Sequence, residues 1–259
     1  MFSMEAVRLI IDPPLEGPDN MARDQALLES CAEARSEPVL RFYAWSPATI
    51  SLGRFQKYAE YEQLPPPAGA LPVVRRTTGG GAILHDLEVT YSLAIPTDHP
   101  LIAGHANRLY ERAHDAIIAA IGPQARQLGS DDPCCDASSL HGPFFCFARR
   151  HGLDVVIRNA EDPTGFSKIA GSAQRRSPRA ILQHGSIMLD SRYEQQPVAT
   201  WTALEGPVSF QAAVDRLIPA FEREFGITFR SGDWSEQVLV AAANLRPRYT
   251  AQAWTKDRA

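Results

Sequence analysis

Cysteine is scarce in this 259-residue chain: only Cys31, Cys134, Cys135 and Cys146 occur. None forms a paired CxxC knuckle with histidine partners, which argues against a structural zinc site. The first twenty residues, MFSMEAVRLIIDPPLEGPDN, lack an apolar core of signal-peptide length, so disulfides are not expected and the cytoplasm is the expected location. No stretch approaches 18 apolar residues, so no membrane span is expected. Positive charge is not in excess, with 26 basic and 30 acidic residues and a formal net charge of −4. A general pull toward nucleic acid or anionic lipid is therefore not expected. Repeats, low-complexity tracts and linker-like segments are also missing, which predicts one domain over 1–259. What remains is ordinary for a globular protein, 44% hydrophobic and 22% charged.

The apolar spacing then divides the chain. Residues 19–35 carry Leu27, Leu28, Cys31 and Ala32 at helical spacing, with Asp19 or Asn20 as cap. Two β-rich runs follow at 39–45 and 49–53, and a third at 73–78 leads into three glycines. Segment 88–96 alternates Val89, Tyr91, Leu93 and Ile95 with Thr90, Ser92 and Ala94, a strand with two distinct faces. A helix is predicted over 108–122, closed by Gly122, then an irregular stretch over 123–145. Three consecutive strands follow at 153–158, 166–176 and 180–190, the first two joined by a polar hairpin loop. Helices close the chain at 209–226, capped by Ser209 and with a kink or break expected at Pro219, and at about 235–245. Strands adjacent in sequence predict an α+β fold, its sheet largely antiparallel or mixed, with helices mainly on one face.

Three stretches could carry chemistry. In RRTTGGGAILHD (75–86), Gly79, Gly80 and Gly81 lie side by side, which weakens a fold unless bare backbone is needed for close approach. Unshielded N–H groups there could wrap a carboxylate, phosphate or phosphopantetheine arm, with Arg75 and Arg76 as anion binders. A flexible turn explains the triplet equally well. In SKIAGSAQRR (167–176), Lys168 stands among small residues, as one cation beside a narrow channel would, although most lysines are simply solvated. Cys146, in FFCFARR, reads as a core thiol or as a nucleophile, and a nucleophile needs a nearby cation to favour its thiolate. Pairing of 153–158 with 166–176 folds Lys168 back toward Cys146; Cys134 and Cys135, in the irregular stretch, compete for the role. His85 and His184 have no metal-ligand spacing partner, and no metal site is expected.

Five segments in order, 20–28, 40–56, 75–86, 167–176 and 181–190, together with a C-terminal run through Tyr249 and Trp254, resemble the motifs of the biotin/lipoate protein ligase and octanoyltransferase superfamily. The resemblance spans nearly the whole chain and implies a class II ligase-like catalytic domain without an accessory C-terminal domain. CFARRHGLDVVI (146–157) is similar to the segment that holds the nucleophile in lipoate-ligase-like octanoyltransferases, so the resemblance implies catalytic roles for Cys146 and Lys168. It implies substrate binding by Arg75, Arg76, Gly79, Gly80, Gly81, Ala82, His85, Gly171, Ser172, Ala173, His184 and Gly185. The implied donor is acyl carrier protein, and the implied acceptor is a lipoyl domain of a 2-oxoacid dehydrogenase or glycine cleavage H protein. No cofactor is expected. An ATP-dependent lipoate-protein ligase, using ATP and magnesium, is the rival expectation, and a non-catalytic lipoyl-domain binder is the third.

Overall fold

A computed structural model describes residues 7–34, 37–102, 107–130, 132 and 142–256. Cys134 and Cys135 lie outside the described residues. In chain order the elements are β1 (Val7–Ile11), α1 (Gly17–Ala34), β2 (Val39–Tyr43), β3 (Thr49–Leu52), α2 (Tyr58–Glu62), β4 (Val73–Arg75), β5 (Ile83–His85) and β6 (Glu88–Pro96). Then come α3 (Asn107–Ile121), β7 (Ala125–Gln127), β8 (Val155–Arg158), β9 (Phe166–Arg176), β10 (Ala180–Met188), α4 (Trp201–Glu205), α5 (Phe210–Phe225), β11 (Phe229–Ser231), α6 (Glu236–Thr250) and α7 (Gln252–Lys256). No helix among the described residues is long and apolar enough to cross a membrane.

Eight strands form a mixed sheet in the order β11-β1-β2-β6-β10-β9-β8-β7, parallel at the β11-β1-β2 end and antiparallel elsewhere. A second sheet, β4-β3-β5, stands apart from it. The glycine segment therefore does not turn between neighbouring strands. It crosses from one side of β3 to the other, because β4 runs parallel to β3 and β5 antiparallel to it.

The expectation of helices mainly on one face is corrected. Leu40, Phe42, Tyr91, Leu93 and Ile95 pack with α3 and α5, while Val39, Tyr43, Ala94 and Leu182 pack with α1 and α6. Both faces are covered, and all nine residues of β6 are buried. On β6, Thr90 borders a cavity and Ser92 is buried on the same face, so that face is small and hydroxylated although it meets no solvent.

Other differences have local causes. Helix α1 begins at Gly17, so Asp19 sits in its first turn and Asn20 is no cap. The Asn20 side chain instead accepts from Arg41 (2.7 Å) and donates to the Ala44 carbonyl (3.0 Å). Pro219 does not break α5, which runs unbroken from its Ser209 cap to Gly226. Burial of Val214, Leu217 and Phe221 outweighs the one hydrogen bond that proline removes. Helix α6 extends to Thr250, past the predicted end near 245. Strands β7 and β11, with three residues each, are too short for alternation to reveal, and each is held by its neighbour in the sheet, as is β1.

Candidate active site

The predicted 153–158/166–176 hairpin forms as β8 and β9, but with an irregularity that matters. Val156 pairs with Lys168 and Val155 with Ala170, which leaves Ile169 as an extra residue. Such a bulge re-aims the side chains beside it. Ile169 and Ala170 both join the α3-side core, and Lys168 is turned toward the cavity between the two sheets.

Lys168 is only 3% exposed. Its Nζ donates to Asp154 Oδ1 at 2.8 Å and to Cys146 Sγ at 3.7 Å. Burial alone would lower the lysine pKa, but the Asp154 carboxylate and then the Cys146 sulfur outweigh it, and the pKa is raised. Gly171 makes the space. A β-carbon there would lie 2.4 Å from Lys168 Cε and 2.7 Å from Nζ. Asp154 is 6% exposed and was missed from the sequence. The available signal was an acid immediately before the apolar run of β8.

Cys146 opens a single 3-10 turn, Cys146–Ala148, and is half-buried on the cavity wall. Its placement depends on the glycine segment. Ala82 N donates to the Phe144 carbonyl (2.9 Å), and Cys146 N donates to the Ala82 carbonyl (2.7 Å). Ala82 thus anchors the cysteine by its backbone and does not border the cavity. The three glycines have three different environments. Gly79 has open space where a β-carbon would go, Gly80 adopts φ +92°, and a β-carbon on Gly81 would lie 2.9 Å from Cys146 N and 3.0 Å from its Cα. Gly79 and Gly80 line the cavity; Gly81 supports Cys146 from behind. Gly81→Val should therefore destabilise the fold by about 1–3 kcal/mol and change the alkylation rate of Cys146. Gly79→Ala should stay within about 0.5 kcal/mol. Thermal unfolding and thiol alkylation measure both, and equal effects at the two positions would refute the distinction.

The two arginines of this segment act on the backbone. Arg75, fully buried, donates to the carbonyls of Gly53, Arg54, Gln56 and Thr255, and lies outside the cavity lining. Trp254 Nε1 completes this junction by donating to the Arg75 carbonyl (2.8 Å). Arg76 lines the cavity and holds the glycine turn through the Gly79 (2.8 Å) and Gly81 (2.7 Å) carbonyls. Burial lowers its pKa to about 10, opposed by the nearby Cys146 sulfur.

His85 and His184 both border the cavity, each wired to an acid on one side and a hydroxyl on the other. His85 Nδ1 donates to Glu88 Oε1 (2.8 Å), and Ser51 Oγ lies 2.7 Å from Nε2. Burial lowers the His85 pKa, and its ring stacks on Trp45 at 3.8 Å. His184 Nδ1 lies 2.9 Å from Asp24 Oδ2 and Nε2 lies 2.8 Å from Thr78 Oγ1. Burial opposes ionisation of Asp24, yet the His184 hydrogen bond and Arg41 hold its carboxyl below the usual range. Arg76 donates to both hydroxyls, Ser51 Oγ and Thr78 Oγ1, at 3.1 Å each. Two acid–imidazole–hydroxyl chains thus hold one guanidinium.

Gly171, Ser172, Ala173 and Gly185 line the cavity on the large sheet. Ser172 Oγ is 2.7 Å from both Tyr91 Oη and His114 Nε2, and a β-carbon on Gly185 would lie 2.3 Å from that Oγ. Met21, Tyr43 and Trp45 add an apolar and aromatic wall that no motif had marked. No group of three His, Cys, Asp or Glu among the described residues could hold a metal ion. The arrangement suits one reaction type: a cysteine beside a fixed ammonium, at the wall of a largely apolar cavity, can accept and release an acyl group.

A family model described as the lipoyl protein ligase A/B catalytic domain matches residues 16–227. The chain is 33% identical to the octanoyltransferase LipM of Moorella thermoacetica, over 92% of this chain and 93% of that protein. It is 29% identical to that of Brevibacillus brevis, over 98% and 100%. Among solved structures, a putative lipoate protein ligase from T. acidophilum superposes with a TM-score of 0.77 at 22% identity, covering 97% and 99% of the two chains. A lipoate-protein ligase A bound with ATP superposes at 0.76 and 21% identity, covering 96% and 98%. At these identities the structural likeness concerns the fold.

Proposed function

The chain belongs to the lipoyl protein ligase A/B catalytic domain family and is an acyltransferase, and from that premise we propose that it is an octanoyltransferase of lipoate biosynthesis working through Cys146. The donor is octanoyl-acyl carrier protein, and the acceptor is a lysine of a lipoyl domain or glycine cleavage H protein. The observation that carries the reading is the 3.7 Å contact between Lys168 Nζ and Cys146 Sγ at the cavity wall.

Two half-reactions follow. The Cys146 thiolate attacks the donor thioester carbonyl; a C–S bond to Cys146 forms as the C–S bond to the carrier breaks. The carrier sulfur leaves as a thiolate and takes a proton from water. The acceptor lysine, entering as the neutral amine, then forms a C–N bond as the C–S bond to Cys146 breaks. The electron pair returns to the Cys146 sulfur beside Lys168, and the amine proton leaves to water. Lys168 favours the sulfur anion at the start and the end of this cycle. Met21, Tyr43 and Trp45 suit the hydrocarbon chain, and the bare backbone of Gly79 and Gly80 suits a close-lying pantetheine arm. A thioester-to-thioester exchange is nearly balanced, whereas amide formation is downhill, so this reading requires no nucleotide or metal.

The test is incubation with octanoyl-acyl carrier protein in the absence of ATP, followed by intact-protein and peptide mass spectrometry. One octanoyl group on Cys146, removed by adding a lipoyl domain, is the expected result. Acylation of the lipoyl domain only with free acid and ATP would overturn it in favour of a ligase.

A further inference from the structure

A buried ammonium needs a counter-charge at every stage of a reaction, because an uncompensated charge in a protein interior is strongly disfavoured. With Cys146 as the thiolate that attacks in the first half-reaction, Lys168 has two negative neighbours, the Asp154 carboxylate at 2.8 Å and the Cys146 sulfur at 3.7 Å. Acylation cancels one of them, since a thioester sulfur carries no charge. The other titratable groups near this pair do not replace it. His114 is neutral, its pKa lowered to about 4 by burial, with Nδ1 held by the Leu153 carbonyl. Burial raises the pKa of Tyr110, so it stays neutral, and Arg76 and His151 offer no negative charge. During the acyl-enzyme stage the charge of Lys168 rests on Asp154.

Asp154 is built for that task. Its Oδ2 accepts from His151 N (2.9 Å), leaving Oδ1 for the lysine. Its backbone is fixed at both ends, N–H donating to the His151 carbonyl (2.8 Å) and C=O accepting from Leu128 N (3.0 Å). It directly precedes β8, at the position where the bulge re-aims Lys168. The missing side chain of Gly171 is what leaves room for the pair: a β-carbon there would be 2.4 Å from Lys168 Cε and 3.3 Å from Asp154 Oδ1.

We propose that Asp154 is a positioning residue that keeps Lys168 charged and aimed at the sulfur while Cys146 carries the acyl group, so that its loss falls on the second half-reaction. The inference rests on the acyl-Cys146 reading given above. Without Asp154 the attacking Cys146 thiolate still pairs one-to-one with Lys168, and acylation proceeds. In the acyl-enzyme the lysine then stands alone, loses its proton, and no longer receives the sulfur as it departs. The direction with pH follows. Asp154 raises the pKa of Lys168, so its removal makes the lysine lose its proton at lower pH, and transfer then declines from a lower pH than in the wild type.

The experiment is single-turnover kinetics of Asp154→Asn, with the two halves measured separately. Octanoyl-carrier protein is mixed with enzyme and acyl-Cys146 is followed by mass; the isolated acyl-enzyme is then mixed with a lipoyl domain across a pH series. Acylation should stay within about threefold of wild type, while transfer slows roughly 10- to 100-fold at neutral pH and recovers as pH falls, corresponding to a shift of about 1–2 pH units. Asp154→Ser, a smaller uncharged replacement, gives the same readings where the asparagine variant does not fold. Equal slowing of both halves, or a transfer rate with the wild-type pH profile, would overturn the role of Asp154. Absence of any acyl-Cys146 in the wild type would instead sink the reading on which it rests.

Discussion

Cys146→Ser should lower acyl transfer by on the order of a thousandfold or more, with no change in folding. A serine hydroxyl does not ionise at neutral pH, so the nearby Lys168 ammonium has no anion to stabilise. The thiol is half-buried and Lys168 Nζ donates to its Sγ, a bond that an oxygen can also accept, so serine leaves the surrounding packing intact. Steady-state transfer to a lipoyl domain and a thermal melt measure the two halves of this expectation. Cys31→Ser serves as the comparison: Cys31 is 2% exposed in the core between α1 and its neighbours, so any effect there is on stability. Full activity in Cys146→Ser, with loss in Cys134→Ser or Cys135→Ser, would move the nucleophile to a residue outside the described structure.

The second large effect is expected at Lys168. Lys168→Met removes the cation next to Cys146 and strands the buried Asp154 carboxylate. Alkylation of Cys146 by iodoacetamide near neutral pH should slow by about 10-fold or more, because an opposite charge a few ångströms away no longer favours the thiolate. Acyl transfer should fall further, since both half-reactions pass through that sulfur anion. Stability should drop by about 3–5 kcal/mol, the usual result of breaking one side of a buried ion pair. The two effects separate in a double variant. Lys168→Met with Asp154→Leu removes both charges and should recover most of the lost stability while transfer stays absent. Lys168→Arg should keep the charge and part of the alkylation rate but transfer poorly, because a planar guanidinium does not fit the space that Gly171 leaves for an ammonium. An alkylation rate unchanged in Lys168→Met would show that the two side chains are not coupled, and the dyad would be abandoned.

The sequence by itself determined the element types along most of the chain and marked those residues of the candidate site that come from local patterns. The alternation in β6, the Ser209 cap of α5, and the β8–β9–β10 run all depend on residues near in sequence, and all are present. The chemistry-bearing stretches were legible because their residue types are unusual: three adjacent glycines, a lysine among small residues, a cysteine flanked by phenylalanines. Asp154 was not legible, because its meaning depends on Lys168, fourteen positions later, being turned by a bulge into its reach. Nor were the different tasks of neighbouring residues. Arg75 and Arg76 look alike in sequence, yet Arg75 ends β4 and Arg76 lies just past it, so Arg75 braces the C-terminal helix and only Arg76 reaches the cavity. The same holds for Gly79 and Gly81, one facing open space and the other the Cys146 backbone. The two-sided covering of the large sheet also waited for the tertiary structure. A strand records that its two faces differ, but whether the polar face meets water or an enclosed cavity depends on which distant segments close over it, here α1 and the glycine-bearing small sheet.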